Sequence, residues 1–179
     1  MDAVRCQAGG ALVIGLEDAF VNSTDSLTPS DAVAALLVLP DGRYIMQLRD
    51  IKSYIFYPGH WGLFGGAVDE GETELAALKR ELFEELDFEA TRLDRFVCLD
   101  FDLSAIGAGK VYRAVYEVAV TEREFASFTL REGRSIEALM ASELLLNRRV
   151  TPYDSFAVWL HHARKRFIPG PAVLEPPPN

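Results

Sequence analysis

Apolar and polar residues alternate in two neighbouring segments of the chain that predict a β-hairpin. The run Val33–Leu39 is apolar and ends at the turn sequence Pro40-Asp41-Gly42. Beyond the turn, Tyr44, Met46 and Leu48 alternate with their neighbours. Short apolar and alternating runs on either side of a Pro/Gly turn are typical of paired strands. We therefore expect two strands joined by a tight turn.

The same patterns predict two further strands and two helices. Segments rich in β-branched and aromatic residues predict strands at Phe96–Leu103 and Val111–Val120. Apolar residues recur at helical spacing within Thr73–Leu86, and a second helix is expected to begin at Thr151-Pro152. The second helix carries an apolar stripe of Phe156, Trp159, Leu160, Ala163 and Phe167. Strands interleaved with two main helices predict an α/β fold with a mixed sheet covered on both faces.

The length of 179 residues, with 49% hydrophobic and 25% charged residues, fits one compact domain. We place that domain at residues 33–168. Residues 1–32 form an N-terminal extension in which Leu12–Leu16 is apolar enough for a strand, so we expect it to pack on the core or on a second subunit. A homodimer is the expected assembly. Residues 169–179 form a proline-rich tail that we expect to be extended or disordered.

The net charge of −9 narrows the range of partners. An acidic protein repels nucleic-acid polymers and anionic membranes, so a phosphate-bearing ligand has to be met by local cations or by bound metal. The apolar run Ala8–Leu16 is too short to span a membrane. Cys6 and Cys98 lie far apart without a C-x-x-C pattern, which gives no indication of disulfides and favours a cytoplasmic protein.

The predicted first helix is unusually acidic along one edge. At about 100° per residue, Glu81, Glu84 and Glu85 share one arc of the helix. An adjacent arc that can bury against the sheet carries Leu75, Leu78, Leu82 and Leu86. Three carboxylates at this spacing repel one another, and a hard divalent cation such as Mg²⁺ reverses the sign of that interaction. For an arbitrary helix a solvated acidic face is the commoner explanation.

The residues ahead of the helix favour a metal site over a solvated acidic face. Gly65-Gly66 and Gly71 flank a short loop that leads into the helix, and such glycines let backbone and metal approach a phosphate closely. Counted from Gly66, Glu72 follows after five residues and Arg80-Glu81 after seven more, and the segment ends at Phe88. This pattern resembles the Nudix box, G-x5-E-x7-R-E-U-x-E-E-x-G-U, where U is an apolar residue.

Two residues depart from the Nudix pattern. Asp87 stands where the family usually has glycine at the end of the helix; aspartate adopts left-handed geometry less readily than glycine, so the departure bears on local stability more than on chemistry. Phe64 stands where many relatives have proline, which bears on the shape of the pocket. The box covers 23 residues and is specific, whereas the likeness over about residues 33–165 is weaker.

The resemblance implies an α/β/α sandwich with a mixed sheet between helices, and hydrolysis of a diphosphate linkage with Mg²⁺, or Mn²⁺ as a substitute. It also implies roles for the residues of the box. The implied catalytic metal ligands are Glu81, Glu84 and Glu85, with the carbonyl of Gly66 or its neighbour completing the shell. Glu72 and Arg80 are expected to form an ion pair with a structural role. The general base is either a box glutamate or Glu132 in the loop that follows the last predicted strand.

Substrate recognition is expected outside the acidic helix. The connection Asp50–His60 is long for a hairpin and holds Tyr54, Phe56 and Tyr57, which predict stacking on a nucleobase, while core packing is the competing explanation. We assign Trp61 to packing. Arg49 ends the second strand and is a candidate phosphate ligand, with a solvated strand end as the alternative. The glycines Gly65 and Gly66 complete the predicted substrate-binding set.

Three functions remain compatible with these residues. The first is a Mg²⁺-dependent Nudix hydrolase acting on a small nucleoside diphosphate derivative, with a nucleotide sugar or ADP-ribose preferred to a modified nucleoside triphosphate. The second is a Nudix-like module that binds a nucleotide as a sensor without turnover. The third is an isomerase of isoprenoid diphosphates, for which no cysteine accompanies the box. No carboxylate of the box is missing, and this favours the hydrolase.

Overall fold

The computed structural model describes residues 26–167 of the protein. Within them the strands are β1 Ala32–Val38, β2 Tyr44–Leu48, β3 Trp61–Gly62, β4 Asp94–Asp102, β5 Lys110–Ala119 and β6 Ser135–Leu139. The helices are α1 Glu74–Leu86, α2 Glu122–Ser127, α3 Ala141–Asn147 and α4 Pro152–Ala163. No helix in this part of the chain is both long and apolar enough to span a membrane. The expectations for residues 1–25 and 168–179 lie outside the described residues.

The sheet is mixed, as the sequence predicts. Strand β1 pairs antiparallel with β2 and parallel with β5, and β5 pairs antiparallel with β4. The order along the sheet is β3-β2-β1-β5-β4, and β6 pairs antiparallel with β2. The predicted hairpin and the two later strands are therefore all present. Asp31, assigned above to the N-terminal extension, is tied to the core because its Oδ1 accepts a hydrogen bond from the N–H of Tyr112 at 3.0 Å.

The segment that follows β3 lies against β1 and holds the two adjacent glycines. Strands β1 and β2 pair directly at Leu37–Ile45 and Val38–Tyr44. Further along β1, the N–H of Ala35 donates to Phe64 O and the N–H of Val33 donates to Gly66 O, each at 2.9 Å. The backbone of the glycine pair is therefore held by β1. Phe64 itself is fully buried in the core and is not among the residues that line the pocket.

Strand β1 separates two apolar cores because its side chains alternate between the two faces of the sheet. One core joins its odd-numbered residues to helix α1 through Leu78, Leu82 and Leu86. The other joins its even-numbered residues to helices α3 and α4 through Leu144, Ala157 and Val158. Helices thus cover both faces of the mixed sheet, and the predicted α/β/α sandwich is confirmed.

Two details of the predicted helices are wrong. Leu75 does not join the buried arc of α1 and is largely exposed. The predicted apolar stripe of α4 is not its buried face, since Phe156 and Trp159 are exposed. The helix instead buries the face that carries Asp154 and His161, because Asp154 accepts a hydrogen bond from the N–H of Leu63 and His161 bonds the hydroxyl of Tyr44. The buried face of α4 therefore consists of Ala157 and Val158 together with two polar side chains whose hydrogen bonds are satisfied.

Candidate active site

Helix α1 has a defined start and a strained end. Thr73 caps the first turn by accepting a hydrogen bond from the N–H of Ala76 at 3.2 Å. At the other end Asp87 adopts left-handed geometry, with φ 56° and ψ 37°, and its N–H donates to Phe83 O. A carboxylate oxygen of Asp87 lies 2.9 Å from the guanidinium of Arg131. The end of the helix therefore requires left-handed geometry, which glycine adopts with the least strain and which Asp87 adopts in this protein.

Arg80 ties the loop before α1 to the acidic edge of the helix. Its guanidinium donates to both carboxylate oxygens of Glu72, at 3.1 and 2.9 Å, so the expected ion pair is formed. It also donates to Ala67 O at 3.0 Å, to Glu81 at 2.8 Å and to Glu84 at 3.3 Å. Hydrogen bonds from Arg80 lower the pKa of Glu72. One cation thus fixes the loop and two of the three predicted metal ligands.

Both adjacent glycines make close contacts, Gly65 with the backbone of β1 and Gly66 with the side chain of Glu81. Gly65 has φ 129°, and a Cβ added there would lie 2.9 Å from Cα of Ala34. A Cβ added to Gly66 would lie 2.8 Å from a carboxylate oxygen of Glu81, well inside van der Waals contact. The carboxylate of Glu81 therefore lies directly against the backbone of Gly66. The carbonyl of Gly66, a predicted metal ligand, accepts a hydrogen bond from Val33.

Among residues 26–167, Glu85 is a buried carboxylate with no ion-pair partner. Its side chain is 5% exposed and accepts hydrogen bonds from the amide of Gln47 at 3.1 Å and the N–H of Gly65 at 2.9 Å. Burial raises its pKa to about 8, although these two hydrogen bonds oppose the shift. Burial also raises the pKa of Glu81, against the opposing effect of Arg80. Burial therefore disfavours the charged form of both acids, and at Glu81 the guanidinium of Arg80 opposes that effect.

The remaining two predicted catalytic glutamates are more accessible. The side chain of Glu84 is 55% exposed. Glu132 is exposed in a loop that is hydrogen-bonded to two elements. The N–H of Arg131 donates to Glu85 O in α1 at 2.8 Å, and the N–H of Arg134 donates to β2. The charge of Glu132 contributes to the raised pKa of both Glu81 and Glu85. Glu132 is thus close to the acidic edge, as a candidate base requires.

The acidic edge fits a divalent metal ion in its chemistry. Its donors are carboxylate oxygens, which Mg²⁺ prefers, and a nearby cation would favour the charged form of the half-buried Glu81 and the buried Glu85. Within residues 26–167, however, no three acidic, histidine or cysteine side chains converge into a ready metal shell. The guanidinium of Arg80 bridges Glu81 and Glu84 instead. The exposed side chain of Glu84 would have to turn away from Arg80 to complete a shell.

A cavity of about 750 Å³ opens beside the glycine pair. Its wall includes Gly65 and Gly66 together with three of the predicted recognition residues, Arg49, Phe56 and Tyr57. Tyr54 does not line this cavity and is 64% exposed. Trp61 is buried in the core, in agreement with its assignment to packing. The two glycines therefore separate the acidic edge of α1 from an aromatic cavity.

Sequence reasoning missed two further residues of the cavity wall. Arg113 of β5 and Tyr153 of α4 line it, with the ring of Tyr153 in edge-to-face contact with Tyr57 at 5.6 Å between centroids. Arg113 lies more than sixty residues from Arg49 along the chain, so no local pattern joins them. The one available indication is a cation within the otherwise apolar run of β5, Val-Tyr-Arg-Ala-Val.

Comparison with known proteins identifies the class. The family model of the NUDIX domain matches residues 28–161. The chain therefore belongs to the Nudix family, and it is a Nudix-type hydrolase of phosphoric anhydride bonds. The family and the enzyme class predicted from the sequence are both confirmed.

Solved structures share the fold at low sequence identity. A MutT protein from Methanosarcina mazei Go1 superposes with a TM-score of 0.62 at 20% identity, over 80% of this chain and 99% of that one. The E. coli dihydroneopterin triphosphate pyrophosphohydrolase gives 0.56 at 19% identity, over 75% and 95%. The NUDIX domain of Shewanella oneidensis NrtR, complexed with ADP-ribose, gives 0.56 at 17%, over 82% and 92%. No curated protein sequence matches the chain.

Proposed function

We propose that this Nudix hydrolase cleaves the diphosphate linkage of a small nucleoside diphosphate derivative and requires Mg²⁺, or Mn²⁺ in its place. A nucleotide sugar or ADP-ribose is the preferred substrate, and a modified nucleoside triphosphate is the second choice. The observation that carries the proposal is the arrangement around Gly65 and Gly66. On one side lie the half-buried carboxylate of Glu81 and the buried carboxylate of Glu85, and on the other lies the aromatic cavity.

Glu81, Glu84 and Glu85 would hold the metal, with the carbonyl of Gly66 or its neighbour. A bound divalent ion neutralises phosphate charge and lowers the pKa of a bound water. The rest of the chain positions the substrate, because the glycines let a phosphate approach the backbone and Arg80 holds the loop in place. A general base takes the proton of the attacking water, and a box glutamate or Glu132 is placed to supply it.

The substrate class is inferred from the cavity and the charge of the chain. A volume of about 750 Å³ lies within the usual range of small-molecule sites, roughly 300–1,000 Å³. The rings of Phe56 and Tyr57 offer a stacking surface for a base. The net charge of −9 disfavours a nucleic-acid polymer. The complex of the NrtR NUDIX domain with ADP-ribose supports a nucleotide of similar size.

Substitution of the acidic edge tests the metal requirement. We expect Glu84→Gln and Glu85→Gln to lower turnover by about 10²–10³-fold, because the amide keeps the shape of the side chain but loses the charge. Circular dichroism should show an unchanged fold, and activity should require added Mg²⁺ or Mn²⁺. Glu89→Gln, an exposed change just beyond the helix, serves as the control. Wild-type turnover by Glu85→Gln at saturating substrate would show that the assigned metal face is wrong.

A substrate screen combined with aromatic substitutions tests recognition. Nucleotide sugars, ADP-ribose, dinucleoside polyphosphates and modified nucleoside triphosphates would be compared for phosphate release. On the best substrate we expect Phe56→Ala or Tyr57→Ala to raise KM by about 5- to 100-fold, because stacking on a base contributes roughly 1–3 kcal/mol. Tyr54→Ala, an exposed ring outside the cavity, is the matched control. Unchanged kinetics in both cavity variants would place recognition of the base elsewhere.

The proposal also includes a cytoplasmic homodimer. The rings of Phe156, Trp159 and Phe167 form an exposed row, with centroids 5.9 and 6.0 Å apart, and exposed aromatic clusters are typical of interfaces. Light scattering should give twice the mass of the chain. A protein shortened to begin at Thr28 tests whether the N-terminal extension holds the dimer, since an unchanged mass and melting temperature would show that it does not.

A further inference from the structure

Arg113 is a buried cation on the cavity wall with unused hydrogen-bonding capacity. Its side chain is 15% exposed, and one amino group donates to Asp154 at 3.1 Å. The guanidinium lies over the ring of Tyr153, 4.6 Å from the centroid. Its Nε is buried and has no hydrogen-bond partner within the described part of the chain. Buried donors in native proteins are nearly always paired, so this unpaired Nε shows that the hydrogen bonds of a guanidinium lining the cavity are not all satisfied by the described residues.

The orientation of the Arg113 guanidinium is fixed by Asp154 and Tyr153. Asp154 is 1% exposed and also accepts hydrogen bonds from the N–H of Leu63 at 3.0 Å and the hydroxyl of Thr151 at 2.7 Å. These bonds anchor the carboxylate that holds one edge of the guanidinium, while Tyr153 covers one of its faces. A guanidinium held in this way loses little conformational entropy when it binds a ligand.

A second guanidinium lies on the same wall. Arg49 lines the cavity, and its Nε donates to Phe56 O at 3.1 Å. A Cβ added to Gly62 would lie 3.2 Å from both Cδ of Arg49 and Oδ2 of Asp154, so these two side chains come close to each other beside Gly62. The pKa of Tyr153 is raised by burial and lowered by the charges of both Arg49 and Arg113, which are therefore close to one ring.

The charge on this wall is opposite to that of the acidic helix. Among the described residues that line the cavity, Arg49 and Arg113 are the basic ones, and the single acidic residue, Asp100, is exposed at the rim. Across the glycine pair, the acidic edge of α1 carries carboxyl groups, which offer an anion no attraction in the absence of metal. A phosphate that binds without metal should therefore bind at the two arginines, whose planar donors match its oxygens.

We propose that Arg113 and Arg49 form a phosphate-binding subsite on the cavity wall, separate from the acidic edge of α1. The inference rests on the proposed function and narrows its substrate to compounds that present a phosphate group to the cavity wall. Asp154 is the positioning residue of the subsite because it acts on the ligand through Arg113.

Calorimetric titration with inorganic phosphate in EDTA tests the subsite in the full-length protein. The wild type should bind phosphate at a ratio of one to one. Arg113→Lys and Arg49→Gln should each weaken binding by roughly tenfold, the size expected for loss of a charge-assisted hydrogen bond. Arg148→Lys is the matched control, because Arg148 also lies over a ring, that of Trp61 at 5.2 Å, and also pairs with carboxylates, but outside the cavity.

The outcomes separate the subsite from the proposed function. If the wild type binds no phosphate in EDTA, or if both cavity variants bind it as the wild type does, the subsite is wrong even when hydrolysis with Mg²⁺ is observed. If phosphate binds as expected but no diphosphate compound is hydrolysed, the subsite stands and the proposed function fails. Should Arg113→Lys not fold, the paired change Arg113→Gln with Asp154→Asn removes both buried charges together and is titrated instead.

Discussion

Two buried carboxylates, Glu85 of α1 and Asp154 of α4, lie on opposite faces of the same sheet. They are 5% and 1% exposed. Each accepts a backbone hydrogen bond from one short extended segment, Glu85 from the N–H of Gly65 at 2.9 Å and Asp154 from the N–H of Leu63 at 3.0 Å. The two donors are two residues apart in the chain, and both helices are thereby tied to the segment that carries the glycine pair.

The two carboxylates differ in their remaining partners. Asp154 is bonded to the guanidinium of Arg113 and the hydroxyl of Thr151, so its charge is matched within the protein. Glu85 is bonded to the neutral amide of Gln47, and burial raises its pKa to about 8. The two carboxylates are similarly buried but differ in whether their charge is matched by a cation. Asp154 is paired with a cation inside the fold, whereas Glu85 is held by two neutral donors, the amide of Gln47 and the N–H of Gly65.

The largest expected effect is the loss of the matched pair. Asp154→Ala should lower the free energy of unfolding by about 3–5 kcal/mol, because it leaves Arg113 buried without its counter-charge. Urea denaturation followed by circular dichroism measures the change. Asp94→Ala, at an exposed position, should stay within about 0.5 kcal/mol of the wild type. A loss below about 1 kcal/mol for Asp154→Ala would show that the ion pair does not anchor α4.

The unmatched carboxylate should make metal-free stability depend on pH. The pKa of Glu85 rises on folding from its usual 4.5 to about 8, so folding favours its protonated form. Its favourable contribution is complete below pH 4.5 and is lost as the pH rises through 8. In EDTA the free energy of unfolding of the wild type should therefore fall below that of Glu85→Gln as the pH rises from 4.5 to 8, by a few kcal/mol at the upper end.

Thermal unfolding of the two proteins from pH 5 to 9 measures that difference. Added Mg²⁺ should restore the stability of the wild type at pH 8 and should leave Glu85→Gln nearly unchanged, because only the carboxylate gains a partner. Glu89→Gln controls for the loss of a negative charge near the helix. Parallel curves for wild type and Glu85→Gln at every pH would mean that Glu85 does not titrate in this range.

The smallest expected effect concerns the end of α1. Asp87→Gly should stabilise the protein by about 0.5 kcal/mol, since glycine adopts left-handed geometry without strain. The exposed ion pair with Arg131 that is lost is worth little in water. Asp87→Ala should destabilise, because alanine keeps the strain and loses the pair. Chemical denaturation resolves these signs, and a destabilised Asp87→Gly would show that the contact with Arg131 outweighs the strain.

The sequence by itself determined the local chemistry of this protein. Helical periodicity placed Glu81, Glu84 and Glu85 on one edge of a helix, and the two strands of the hairpin followed from the runs on either side of the turn. These features were accessible because each depends on residues close together in the chain, whose relative directions are set by the geometry of one helix or strand. The ion pair between Glu72 and Arg80 was expected from the resemblance to the Nudix box, and the mixed sheet from the interleaving of strands and helices.

Only the tertiary structure decided which of these surfaces meet. Periodicity gives the angle between side chains on α4 but not which side of the helix faces the sheet. Asp154 and His161 face inward, where they bond to Leu63 and Tyr44. These partners lie about ninety to one hundred and twenty residues away in the chain. The cavity wall formed by Arg113 arises in the same way. Pairing between distant strands and helices depends on the order of the sheet, and no local spacing records that order.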